Sequence, residues 1–472
     1  MKMIINGKAT AASNNASIEV FNPATSMPID SVPAATNEDL ELALDTAKKG
    51  VKIWSSYSFE KRYEILCNVA DRLLESKELL AETLCKENGK PYADALGEVI
   101  GATKVFRGYA EKMRHLYKEV IPDEDSLILL SYDPLGVVAC IVPFNFPVDL
   151  YSHKVAPALA MGNAVIVKPA TVTPLANILM TQIILDAGVP AEALQIVTGR
   201  GSDIGEYLSS SPKVNAISLT GSTEAGISVY ENAAKHMARV SLELGGNDAM
   251  IILKDSDIDH AVDCSIGSRT MNSGQVCACM KRFVVHNSIK EEFTERLVSK
   301  LKELRMGDPF DPDVVMGPLV SREASEQVQA QVEHAISQGA TCILGGKCLD
   351  HAYFPVTVLT NVSRESDIAN DMEIFGPVFP IIGFDTEEEA IEIANQTTYG
   401  LTGCVITNDY QHGYKLANQL DVGTASVNGS SIRPPSLPWT AHKMSGIGSE
   451  GFATTLLEMV DKKNIVLNGF FK

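Results

Sequence analysis

The sequence predicts an α/β protein built from two α/β domains with additional small β segments. Three observations carry that expectation. The chain has 472 residues, more than one hydrophobic core ordinarily supports. From about residue 134 to 253, short apolar runs alternate with helical patterns, the rhythm of a parallel, doubly wound sheet. After residue 253 that rhythm restarts, which predicts a second α/β unit.

The elements follow in order. Residues 38–49 and 59–94 carry apolar residues at three- and four-residue spacing between charges and predict helices. The pattern changes at Tyr132-Asp133-Pro134-Leu135-Gly136. Residues 137–142 and 164–167 predict strands. Thr173-Pro174 is then expected to open a helix, threonine as cap and proline at the first position, and glycine stops it at Ala187-Gly188. Residues 194–197, 216–219 and 240–244 predict further strands. Beyond them, 257–270, 288–304 and 322–338 predict helices, and 341–344, 378–383 and 401–407 strands. Residues 115–133 and 464–472 are β-prone pieces with no local partner. No internal repeat of fixed period is present.

Composition bounds the partners. Hydrophobic residues make up 45% and charged residues 21%, enough apolar material for packed cores and no signature of disorder. The formal net charge of −19 repels phosphate backbones and anionic membranes, so neither nucleic acid nor membrane is an expected partner. The start, Met1-Lys2-Met3-Ile4-Ile5-Asn6-Gly7, turns polar too soon for a secretory segment, and no apolar run is long enough to span a bilayer. Nine scattered cysteines fit free thiols in a reducing compartment better than a disulfide framework. A cytoplasmic location is expected, and no metal site.

Three short motifs carry chemistry. In Asn272-Ser273-Gly274-Gln275-Val276-Cys277, the cysteine follows a glycine-containing turn whose backbone N–H groups can face a substrate oxygen. A thiolate there is a good nucleophile towards carbonyl carbon; the alternative is a small buried hydrophobe. In Leu242-Glu243-Leu244-Gly245-Gly246, a carboxylate enclosed by leucines suits a general base, or is a plain strand-end glutamate. In Pro143-Phe144-Asn145-Phe146-Pro147, two prolines and two aromatics fix an asparagine amide as an oxyanion donor must be fixed, or simply build a turn.

Taken in order, these motifs resemble the aldehyde dehydrogenase superfamily. Thr220-Gly221-Ser222-Thr223-Glu224 and Glu373-Ile374-Phe375-Gly376-Pro377 belong to the same pattern. The resemblance extends from Phe21-Asn22-Pro23-Ala24-Thr25 to Lys443-Met444-Ser445-Gly446-Ile447-Gly448. It implies a Rossmann-like dinucleotide-binding domain (1–114 and 134–245), a catalytic domain (246–445) and oligomerisation segments (115–133 and 460–472), in a homodimer or homotetramer. It also implies that Cys277 attacks a small aldehyde, that Asn145 and the Cys277 N–H hold the oxyanion, and that Glu243 activates the water that hydrolyses the thioester. Glu243 speaks against the alternative of coenzyme A acylation, and retention of all three residues against a non-catalytic binding protein.

For the dinucleotide, the resemblance points to Gly201 and Gly205 at a helix entry and to the Gly221-Ser222 turn, with Ser222 at a helix start suited to pyrophosphate. Lys168 would reach the adenosine ribose, Glu373 the nicotinamide ribose, and Phe375 would pack near the ring. Thr171 is a departure. Many NAD-preferring relatives carry glutamate there, which repels a 2′-phosphate, so NADP is expected to be preferred, with NAD possible.

The substrate end is less determined. Gly274-Gln275-Val276-Cys277-Ala278-Cys279 leans towards lactaldehyde- and succinate-semialdehyde-oxidising branches. Where succinate-semialdehyde enzymes place arginines, this chain has His153 and Met271. His153 and Arg433 are the candidates for a polar substrate end, each with a structural alternative, and Trp439 is expected to narrow the entrance. Cys279 is read either as a packing residue or as a redox switch that forms a reversible disulfide with Cys277.

Overall fold

The structure, a computed structural model, describes residues 1–116, 119–429 and 437–471. Arg433 lies outside the described residues. The chain has the predicted α/β class and carries two large sheets, each covered on its faces by helices.

The N-terminal helices start from local signals. Thr36 caps helix Asn37–Ser55 in a reciprocal box with Asp39, and Ser58 caps Phe59–Glu75 by accepting from the Lys61 N–H. The segment expected to be helical over 59–94 is divided into Phe59–Glu75, Lys77–Asn88 and the start of Tyr92–Met113. Gly89 makes the second break: its φ is +90°, and a side chain there would meet Pro318 and Pro23 at 2.7 and 2.9 Å. Apolar spacing runs on across both breaks, so periodicity could not reveal them.

The first sheet has eight strands in the order Lys8–Thr10, Met3–Ile5, Leu194–Ile196, Ala164–Lys168, Val137–Ile141, Ala216–Thr220, Arg239–Glu243, Gly446–Ile447. The central five are parallel. Numbered along the chain they run 3-2-1-4-5, with the order reversing between Val137–Ile141 and Ala216–Thr220. In such sheets ligands sit outside the carboxyl ends at the switch point. Those ends deliver Val142–Asn145, Lys168, Gly199–Gly205, Gly221-Ser222 and Glu243. Apolar residues of the sheet, such as Val138 and Val165 on one face and Ala139 and Ile166 on the other, pack into separate cores.

One expectation is corrected here. The helix opened at Thr173-Pro174 spans Leu175–Asp186, and its own cap position makes no side-chain hydrogen bond. A distant carboxylate does that work. Glu87 accepts from the Leu175 and Ala176 N–H groups at 2.7 and 2.9 Å, and burial pushes its carboxyl up to about 8. Gly188, at φ +114°, ends the helix as expected.

The second sheet has seven strands: Thr341–Leu344, Thr357–Thr360, Val378–Phe384, Arg282–His286, Ala249–Ile252, Thr402–Ile406 and Thr424–Val427. All neighbours are parallel except the first pair. The unpartnered β-prone pieces find each other. Val460–Leu467 pairs antiparallel with Ser126–Pro134 in unbroken register, and Glu119–Asp123 adds a third strand. Among the described residues no helix is long and apolar enough to cross a membrane.

Candidate active site

The segment leading to Cys277 is unusual in its backbone. Asn272, Ser273 and Gly274 have φ of +46°, +56° and +78°. Two consecutive non-glycine residues in the left-handed region cost free energy that surrounding contacts must offset. The contacts are specific. Asn272 Nδ2 donates to the Asn145 carbonyl at 2.9 Å, Ser273 Oγ to the Gly317 carbonyl at 2.8 Å, and Gln275 Oε1 accepts from the Val320 N–H at 2.9 Å. A side chain at Gly274 would overlap the Gly376-Pro377 peptide. That close approach lays the cysteine segment against Glu373-Ile374-Phe375.

Arg269, to which the sequence assigns no role, ties the two segments together. Its guanidinium is buried and donates to the carbonyls of Val378 (2.9 Å), Ile374 (2.7 Å) and Gly274 (3.3 Å), and to the Cys279 sulfur (2.9 Å). Cys279, 2% exposed, donates in turn to the Val276 carbonyl at 3.2 Å. All nine cysteines are free thiols.

Cys277 itself is half-buried. Burial pushes its thiol up to about 12; the Lys281 ammonium pulls it down, and Glu373, Glu243 and Asp248 push it further up. The resting group is therefore a thiol, set among carboxylates. Glu243, 5% exposed, closes strand Arg239–Glu243, and its carbonyl accepts from the Gly221 N–H at 3.1 Å.

Asn145 is 3% exposed and donates one amide N–H to the Gln275 carbonyl at 3.1 Å. A carboxamide has a second N–H to offer. The Asn145 carbonyl is gripped by Lys90 Nζ at 2.7 Å, and Lys90 is paired in the interior with Glu98. Glu98 also accepts from the Val148 and Asp149 N–H groups at 2.8 and 3.1 Å, capping helix Pro147–Ala160. Lys90 is not legible as a site residue because Gly89-Lys90-Pro91 lies inside a stretch expected to be helical, and Glu98 because it belongs to no motif.

The dinucleotide candidates converge at the carboxyl ends of the first sheet. Lys168 is buried, which pushes its ammonium down to about 8; a side chain at Gly201 would stand 3.7 Å from its Nζ. Thr171 Oγ1 donates to the Gly199 carbonyl at 3.1 Å, so its hydroxyl proton is committed and its lone pairs remain. Gly201–Gly205 forms a single π-helical turn. Ser222 caps helix Thr223–Ala234 by accepting from the Ala225 N–H at 3.2 Å. Glu373 lies across the site, 3.2 Å from Lys281 Nζ, and Phe375 meets Phe144 edge to face, centroids 5.8 Å apart.

His153 is buried on helix Pro147–Ala160, its ring edge-on to Tyr109 at 6.1 Å, and its Nδ1 has no hydrogen-bond partner among the described residues. The adjacent Lys154 pairs with Glu450 at 2.7 Å. Glu450 faces the half-buried Trp439 across a two-residue ladder. Among the described residues no cluster of three or more His, Cys, Asp or Glu could hold a metal ion.

A 3-2-1-4-5 parallel sheet with glycine turns and a capped helix start at its carboxyl ends is the arrangement of dinucleotide-binding α/β proteins. The comparisons narrow this. The model of the aldehyde dehydrogenase family matches residues 10–465. A lactaldehyde dehydrogenase of Methanococcus maripaludis is 36% identical over 96% of this chain and 97% of its own length. The NADP(+) succinate-semialdehyde dehydrogenase of Escherichia coli is 34% identical over 95% of this chain and 94% of its own. The crystal structure of a Staphylococcus aureus betaine aldehyde dehydrogenase in complex with NAD+ superposes with a TM-score of 0.97, at 33% identity, over 99% of this chain and 94% of that one. The chain belongs to the aldehyde dehydrogenase family.

Proposed function

We propose that this enzyme oxidises a small aldehyde, lactaldehyde or succinate semialdehyde, to its carboxylic acid, with Cys277 as nucleophile, Asn145 as oxyanion donor and Glu243 as base. The observation that carries this is the convergence of the three on one site from separate elements. The left-handed turn before Cys277 bonds to Asn145 through both Asn272 and Gln275, and Glu243 is close enough to raise the Cys277 thiol. Cys277 Sγ adds to the aldehyde carbon, its proton passing to a base. The second N–H of Asn145 and the Cys277 N–H receive the developing oxyanion. Once the hydride has left, the group on Cys277 is a thioester, and Glu243 takes a proton from the water that cleaves it.

The residues present fit a nicotinamide dinucleotide, which when bound supplies the hydride acceptor. A buried, solvent-poor cation at Lys168, a helix start at Ser222 and glycines at 201, 205 and 221 offer charge, N–H groups and space for phosphates. Glu373 offers a carboxylate for a ribose, and Phe375 an apolar face. NADP is the proposed preference and NAD a possible substitute, because position 171 brings no carboxylate against a 2′-phosphate. The Escherichia coli relative, named for NADP(+), favours that reading; the Staphylococcus aureus structure with NAD+ is the counterweight.

His153, with its unpartnered Nδ1, and Trp439 are proposed to line the aldehyde entrance, with Arg433. Cys279, packed between Arg269 and the Val276 carbonyl, is assigned the packing role: Cys279→Ala is expected to leave peroxide sensitivity unchanged. Residues 1–114 with 134–245 form the proposed dinucleotide domain and 246–445 the catalytic one. The proposed assembly is a cytoplasmic homodimer or homotetramer joined through 115–133 and 460–472. The main test is an aldehyde panel (lactaldehyde, succinate semialdehyde, glyceraldehyde, glycolaldehyde, benzaldehyde) with both dinucleotides, wild type beside Cys277→Ser. Reduction of the dinucleotide is expected with at least one aldehyde and a loss of more than about 10³-fold in the variant. Turnover that survives in Cys277→Ser refutes the proposal.

A further inference from the structure

Lys281 belongs to none of the motifs above, yet its ammonium occupies the space between the two halves of the site. The side chain is 1% exposed and stands 3.2 Å from Glu373 Oε1. It donates to the Cys277 carbonyl at 2.5 Å and lies 6.0 Å from the centroid of the Phe375 ring. Glu373 Oε1 also accepts from the Gly246 N–H at 3.3 Å. A buried ammonium persists only where acceptors offset its lost hydration. Here the acceptors come from two segments with different tasks, one carrying the thiol and the other the carboxylate.

We propose that Lys281 is a positioning residue that fixes the Glu373 carboxylate to the Cys277 backbone, so that one cation sets both the thiol and the carboxylate that faces the dinucleotide. The proposal rests on the roles given above to Cys277 and Glu373. The contact with the Cys277 carbonyl restrains the torsion just after the thiol-bearing carbon. The contact with Glu373, together with the Gly246 N–H, fixes where its carboxylate oxygens stand, and so where they can accept from a ribose hydroxyl. A lysine suits the place because a compact charge with three donors can serve a carbonyl and a carboxylate that are not coplanar.

The surrounding charges agree. Burial opposes the Lys281 ammonium, but the neighbouring carboxylates Glu373 and Asp248 work against burial and the repulsion of Arg269, and the group is held above its ordinary value. Of the charges facing Cys277, Glu373, Glu243 and Asp248 oppose ionisation, and Lys281 favours it. Removing Lys281 and removing the Glu373 charge must therefore move the thiol in opposite directions, a signature that a merely structural role would not give.

The test uses the full chain and needs no turnover. Alkylation of Cys277 by iodoacetamide at about pH 8 is followed by mass spectrometry, and NADP binding by intrinsic fluorescence, for wild type, Lys281→Met, Lys281→Arg, Glu373→Gln and the Lys281→Met/Glu373→Gln pair. Lys281→Met is expected to slow alkylation about tenfold, Glu373→Gln to accelerate it severalfold, and Lys281→Arg, which keeps the charge, to alkylate near the wild-type rate while losing part of the NADP affinity, because its planar fork serves the two acceptors less well. Each of Lys281→Met and Glu373→Gln should weaken NADP about tenfold, and the double variant hardly more, since both remove one arrangement. Unchanged alkylation in Lys281→Met, or losses of affinity that multiply in the double variant, overturn the proposal. If Lys281→Met does not fold, Glu373→Gln decides, because failure to accelerate alkylation is equally fatal. Retained aldehyde oxidation in Cys277→Ser would defeat the functional reading, but leave these alkylation rates free to support or overturn the role of Lys281.

Discussion

The segment 269–281 and the carboxyl ends of the first sheet face the same site but are built by different means. The first holds three consecutive left-handed residues, constrained by side chains that reach carbonyls elsewhere in the chain: Arg269 to Ile374 and Val378, Asn272 to Asn145, Ser273 to Gly317. The second uses topology. Parallel strands end together because they run in register, and what they present is glycine, a helix start and one buried lysine. Groups that take part in bond-making need tight placement, and that requires many convergent bonds. A binding surface for a large, flexible cofactor needs only space, N–H groups and charge in the right neighbourhood.

That contrast can be broken at either end. Asn145→Ala removes the donor gripped from both sides, and kcat is expected to fall about 10²–10³-fold with a much smaller change in KM; steady-state kinetics decide it. Arg269→Met leaves three buried carbonyls without their donor, so stability should drop by about 2–4 kcal/mol in chemical denaturation. An unchanged midpoint would mean that the segment is not held as described.

On the binding side the effects are smaller. Thr171→Glu sets a carboxylate where a 2′-phosphate would approach, and should lower kcat/KM for NADP about 30-fold while sparing NAD. If the wild type already favours NAD tenfold or more, the assignment of Thr171 is wrong. Lys168 gives the mildest signal. Its ammonium, pushed down to about 8 by burial, is mostly charged at pH 7 and mostly neutral at pH 9. The KM for NADP is expected to rise severalfold over that interval, and the rise should vanish in Lys168→Met.

Local chemistry written in the chain settled much of this molecule. The alternating patterns from 134 to 253 gave the strand–helix rhythm because inward-facing residues repeat with the period of the element they sit in. Gly188 marked a helix end because it takes a left-handed torsion. The motifs around Asn145, Glu243 and Cys277 stood out by residue type and by resemblance, before any distance was known.

Tertiary structure alone decided what partners those residues have. The cap of helix Leu175–Asp186 is Glu87, remote in sequence, in place of Thr173 beside it. The β-prone ends pair with each other through Ser126–Pro134 and Val460–Leu467. Lys90, Arg269 and Lys281 are given no role by the sequence, since a lysine or arginine in sequence reads as solvated surface. Burial changes that: once water is excluded, each cation must find carbonyls or carboxylates, and here each reaches at least one in the segments that carry Asn145, Cys277 and Glu373. The sequence named the candidate groups for chemistry, and the fold chose the groups that hold them in place.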